Sequence, residues 1–146
     1  EYPGIYPKTS MPSIGAYCEQ MKAVAEKGQD IICVCMSAKF TTSYQSARTA
    51  AEMIRDEYPD IKVTVIDSTL ATVLEGLFVL EICRMRDAGL SYDETISRLE
   101  EIKKTGHIFF TVGDLEYLIA GGRVGKAAGA IGQAMRLKPL MHMADG

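Results

Sequence analysis

Apolar residues recur along this chain in two alternating patterns. Tyr17, Met21, Val24 and Ala25 return at spacings of three and four, which predicts a helix with Ser13 placed to cap its start and Gly28 to end it. Residues 31–36 are instead one unbroken apolar run, short and rich in β-branched side chains, as expected of a strand covered on both faces. A second helix follows the polar stretch 37–43 and runs to about Tyr58. It carries Ala47, Ala50, Ala51 and Ile54 on one face, and Pro59 stands beyond its end. Residues 63–66 predict a second buried strand, joined through Asp67, Ser68 and Thr69 to a long helix bearing Leu70, Val73, Leu74, Leu77, Phe78 and Ile82. Its apolar face is broad enough to predict a buried position.

Gly89 stops that helix, and Ser91 with Glu94 has the reciprocal capping spacing that opens another, containing Ile96, Leu99 and Ile102. Residues 107–112 predict a third strand. Asp114 is placed to cap a short helix with Leu115, Leu118 and Ile119 that ends at Gly121 and Gly122; a second short helix of small residues is expected from about Lys126 to Met135. The segment from Pro139 onward has the composition of a further strand. This alternation predicts an α/β fold, with a mainly parallel sheet and helices on both faces.

Composition narrows the functions open to this fold. At 146 residues one domain is the default, and a formal charge of −3 leaves no basic excess for a phosphate backbone, so nucleic acid is not an expected partner. No apolar run approaches the roughly 20 residues that a membrane-spanning helix needs. The opening has no basic segment followed by an apolar stretch, so no signal peptide is expected. Cys18, Cys33, Cys35 and Cys83 lack C-x-x-C spacing, and they read as free thiols in a reducing cytoplasm rather than as a metal site. No metal or cofactor is expected.

Ligands of open parallel sheets collect beyond the carboxyl ends of the strands. The polar run 37–43 has that position. Thr42 is spaced to cap the next helix with Gln45 as its reciprocal partner, which leaves the Thr41 hydroxyl near unpaired amides and the positive end of a helix dipole. Such a place suits an anion, although hydroxyl residues also gather before helices simply to cap them. Thr9 in the segment 9–13 has no evident structural task beside Pro12 and the capping Ser13. Arg123, set in a sharp turn by Gly121 and Gly122, either meets an anion or caps the preceding helix's carbonyls. His107 and His142 stand near no nucleophile in sequence, and there is no phosphate-loop, dinucleotide or paired-histidine motif. Asp67 is the best acid candidate if the chain is an enzyme. That alternative is a small-molecule phosphotransferase or hydrolase, with Asp67 as acid or base and Arg123 holding phosphate; a third is a purely structural interaction domain.

Taken together and in order, TSMPS at 9–13, SAKFTTSYQSA at 37–47, VIDS at 65–68 and LEYLIAGGRVGKAAGAIGQAMRLKP at 115–139 resemble the DegV family of bacterial fatty-acid-binding proteins. The resemblance extends from about Lys8 to Gly146. It implies a long-chain fatty acid as ligand, held by its carboxylate and presented to a partner fatty-acid kinase that makes the acyl phosphate, with no catalysis by this chain itself. It further implies that Thr9, Thr41 and Thr42 bind the carboxylate and that Arg123 joins the head-group network. Where the family usually has a Ser-Gly pair, this chain has Thr41 and Thr42, and Lys39 replaces a small residue. Family members usually begin with a further strand and helix and continue into a domain that covers the acyl chain. The resemblance therefore implies an internal fragment, incomplete at both ends: residues 1–138 form the α/β domain without its usual first strand and helix, and residues 139–146 start the second domain.

Overall fold

A computed structural model of the chain describes residues 6–113, 115–122, 138 and 140–143. The described residues of 11–107 form one compact unit, and those of 6–10 and 108–143 form another.

In the larger unit, α1 (Ile14–Ala25) starts where the Ser13 side chain accepts the Ala16 N–H at 3.1 Å, and the chain leaves it through Gly28 at φ +69°. Both ends agree with the sequence expectation, because a short hydroxyl side chain satisfies an orphan amide and glycine alone enters the left-handed region without penalty. Strands β1 (Ile31–Cys35) and β2 (Val63–Asp67) pair in parallel, with Ile31 opposite Val63 and Cys35 opposite Asp67. Parallel neighbours need a crossover, and α2 (Ser43–Glu57) provides it.

Side chains alternate across a strand, so this two-stranded sheet divides the interior in two. Ile31, Cys35 and Val63, with Cys33 and Val65, meet α1 and α2 through Met21, Ala25, Ala47, Ala50, Ala51 and Ile54. On the opposite face Ile32, Val34 and Ile66 meet Leu70, Phe78, Met85 and Leu99 of α3 (Thr72–Asp87), α4 (Tyr92–Ile102) and the turn before α3. Helices therefore cover both faces, as predicted. The Ser91–Glu94 capping box forms in full at the start of α4, and Gly89 at φ +82° ends α3.

The α3 helix departs from expectation. Phe78 and Met85 are buried against α4 and the sheet, but Val73, Leu77 and Leu80 are 77%, 50% and 51% exposed among the described residues. The two cysteines of β1 share a face, as the strand period requires, and remain unbonded thiols with sulfurs 4.0 Å apart.

Polar side chains tie the helices to the amino ends of the strands. Arg55 donates through Nε and Nη2 to the Val63 carbonyl at 3.1 and 2.6 Å, and the Tyr92 hydroxyl lies 3.1 Å from the Ile31 carbonyl and 2.6 Å from Thr64 Oγ1. The carboxyl ends are left to the loops.

In the smaller unit, β3 (Ile108–Thr111) pairs with β4 (Leu140–Met143), and this pairing is antiparallel, with Phe109 stacked on His142 at 4.4 Å between ring centroids. Both strands were expected; the parallel rule holds for β1 and β2 and not for this pair. The short helix α5 (Glu116–Ala120) ends at Gly121, followed by Gly122 at φ +72°. The Tyr6 hydroxyl donates to the Glu116 carboxylate, and its ring meets Tyr117 edge-on at 5.6 Å. Asp114 and the helix expected over 126–135 lie outside the described residues. Among the described residues no helix is long and apolar enough to cross a membrane.

Candidate functional site

The loop after β1 is organised around Ser37, which is buried. Its carbonyl accepts the N–H groups of Phe40 and Thr41 at 3.0 and 3.3 Å, and its Oγ accepts that of Lys39 at 3.2 Å. The turn delivers Thr41 and Thr42 to the start of α2. Thr41 Oγ1 accepts the Ser43 N–H at 3.2 Å and lies 2.9 Å from Ser43 Oγ, a hydroxyl turn of the kind that competes with helix geometry just before a helix.

Thr42 occupies the cap position but does not cap. Its backbone, at φ −86° and ψ 13°, is outside the extended geometry of a capping residue, and the expected reciprocal pair with Gln45 does not form. The hydroxyl turns instead to the Met11 sulfur, 2.7 Å away, and the Ser46 hydroxyl lies 3.5 Å from the same sulfur. Within the described residues, the N–H groups of Thr42, Tyr44 and Gln45 have no hydrogen-bond acceptor. Three amides without acceptors among the described residues, and the partial positive charge at the start of a helix of 15 residues, therefore lie next to Thr41 along the chain. Chemically, that set can accept a carboxylate or another small anion. Lys39 is exposed on the same loop.

Below the loop, Tyr17 of α1 faces Ser43 and the β1 thiols, and burial, together with the Cys35 thiol, pushes its phenol above the usual tyrosine range. Asp67 lies at the carboxyl end of β2, and its Oδ1 accepts the N–H groups of Ala38 and Thr69. It does not cap α3, whose cap position is Ala71 without a side-chain bond. Thr69 and Thr72 both have left-handed backbones, φ +56° and +58°, a costly conformation for β-branched residues. Glu75 in the first turn of α3 has its carboxyl raised above the usual glutamate range by burial. Among the described residues no cluster of His, Cys, Asp and Glu could hold a metal ion.

Of the residues singled out from the sequence, Thr41 and Thr42 stand together at the start of α2. Thr9 is exposed and belongs to the smaller unit, and Arg123 lies outside the described residues. Sequence reasoning misses Ser43 and Met11. The two-residue spacing of Thr41 and Ser43 is a recognisable hydroxyl-turn signal, whereas nothing local to Met11 points to Thr42.

The DegV family model, described as "Uncharacterised protein, DegV family", matches residues 3–146. A DegV domain-containing protein of Clostridium acetobutylicum is 36% identical over 140 residues, 95% of this chain and 48% of that protein. A stearic acid-binding protein from Eubacterium ventriosum superposes with a TM-score of 0.90 at 38% identity, covering 99% of this chain and 49% of its own. A fatty acid-binding DegV family protein from Thermus thermophilus gives a TM-score of 0.82 at 30% identity, covering 97% of this chain and 49% of its own. The chain thus spans about half the length of the relatives it matches, with the two loops and the parallel pair of strands inside the matched region, and it belongs to the DegV family.

Proposed function

We propose that this chain is the head-group half of a non-catalytic carrier that holds a long-chain fatty acid by its carboxylate and presents it to a partner fatty-acid kinase for acyl-phosphate formation. What carries the reading is the start of α2, where three amides without acceptors among the described residues adjoin the Thr41 hydroxyl, in a chain similar to proteins solved with fatty acids. In this reading Thr41 donates its hydroxyl proton to the carboxylate and Thr42 its backbone N–H. Thr9 and Arg123 are assigned to the head group by the family resemblance alone. The protein acts in the cytoplasm; residues 1–138 belong to the α/β domain, and residues 139–146 open the domain that covers the acyl chain. The enzyme alternative has less support, because the structures this chain is similar to are described as fatty-acid-binding proteins and one Asp67 oxygen, Oδ1, serves two backbone amides of the loops.

The energetics divide the labour. A tail of about 15 methylenes carries on the order of 12 kcal/mol of transfer free energy before the costs of association, at about 0.8 kcal/mol each. Hydrogen bonds to a charged head contribute roughly 1.5–3 kcal/mol apiece and are directional. The tail sets retention, and the head contacts set which end faces the partner.

Native mass spectrometry of the full chain purified from bacteria should find a mixture of long-chain fatty acids bound; a ligand-free protein would overturn the reading. Arg123→Ala should impair acyl-phosphate formation by a fatty-acid kinase more than it lowers lipid occupancy. An arginine that only caps a helix would instead lower the Tm and leave transfer per folded molecule intact.

A further inference from the structure

Asp67 ends β2, and its side chain lies where the loops following both parallel strands meet. A single oxygen, Oδ1, accepts the Ala38 N–H from the first loop at 3.2 Å and the Thr69 N–H from the second at 3.0 Å. Two backbone bonds flank it: the Ser37 N–H donates to the Leu70 carbonyl at 2.9 Å, and the Ser68 N–H to the Cys35 carbonyl at 3.0 Å. Thr69 is one of the two left-handed threonines, and a β-branched residue stays in that region only under restraint from its surroundings. Asp67 supplies such a restraint through a turn in which an aspartate bonds the amide two residues ahead.

The geometry points to Asp67 as a positioning residue for the carboxylate site, clamping the loop that carries Thr41 and Thr42 to the corner before α3 so that the two move as one body. The inference rests on the fatty-acid reading above; Asp67 itself touches no ligand in it. Ala38 adjoins Ser37, whose carbonyl receives the Thr41 amide, so the placement of Thr41 is inherited through two steps from the Asp67 oxygen. Such a clamp requires an acceptor at one point in space and no negative charge. Asparagine keeps an oxygen there. Glutamate keeps the charge but carries its oxygens one methylene further out.

The test uses the full chain with Asp67→Asn and Asp67→Glu. It measures the dissociation rate of a fluorescent long-chain fatty acid, the Tm, and hydrogen exchange at the amides of Ala38, Thr41 and Thr69. Asp67→Asn is expected to stay within about threefold of the unaltered protein in all three exchange rates and in dissociation. Asp67→Glu should release the lipid at least about tenfold faster per folded molecule, with exchange at all three amides accelerated. The reverse ranking would overturn the clamp in favour of a role for the charge. A lowered Tm in Asp67→Glu with unchanged dissociation and exchange at Thr41 would also overturn it. If the unaltered chain binds no long-chain fatty acid, the ligand assignment fails, and the exchange rates still decide whether Asp67 holds the loops together.

Discussion

The side-chain oxygens of Thr41 and Ser43 lie 2.9 Å apart in front of α2, and the Ser43 amide donates to the same Thr41 oxygen. With Ser43 as the hydroxyl donor, Thr41 accepts twice and keeps its own proton for an anion. Ser43→Ala should therefore loosen the orientation of Thr41 and weaken fatty-acid binding by about three- to tenfold, the equivalent of roughly one neutral hydrogen bond. Thr41→Val, which removes the donor to a charged group, should cost more, on the order of 10- to 100-fold. Displacement of a fluorescent fatty acid gives both affinities, and values matching the unaltered protein would remove Thr41 from the site.

Thr42 is expected to contribute only its amide. Its hydroxyl is spent on the Met11 sulfur, a weak acceptor, and glycine at a helix cap costs only a few tenths of a kcal/mol relative to threonine. Thr42→Gly should keep affinity within about threefold of the unaltered protein. Abolished binding in this variant would show that the side chain itself serves the ligand.

The contrast between these two threonines explains what is legible in the sequence. Ser13, Gly28, Gly89 and the Ser91–Glu94 pair act within one segment, through spacings that fix which amide or carbonyl they meet, and the structure agrees at each. The anion-suited loop is likewise legible, because its place at the end of an apolar strand follows from periodicity. Thr42 is misread because its partner lies 31 residues away, and the bond from the Ala38 amide to Asp67 is not legible because it spans 29 residues. Cross-chain partners of that kind depend on strand order, which local spacing does not encode. The surroundings of α3 fail for the same reason: a broad apolar face predicts burial but not which element supplies it.

The capping box at α4 should appear in the pH dependence of stability. Bonds from the Ser91 side chain and then its backbone N–H hold the Glu94 carboxyl below the ordinary glutamate value of 4.5. A depressed folded-state pKa means the unfolded chain binds the proton more readily. The contribution is thus present above that value and is lost as pH falls through the lower folded one. Melting curves between pH 7 and 3 should show a steeper acid loss for the unaltered protein than for Glu94→Gln; superimposable pH profiles would contradict the assignment.

The alternation along β1 reaches further than core packing. A slip of a single residue against β2 would send the small thiols of Cys33 and Cys35 into the space shaped for Ile32 and Val34, and those bulkier side chains into the space lined by alanines of α2. Both cavities would be filled with the wrong volume at once, so the strand has one stable seating. The anion-suited amides begin only a few residues past its end. Their position is therefore set in part by core side chains outside the loop, and enlarging Ala47 or Ala50, both fully buried against β1, should displace the loop before α2.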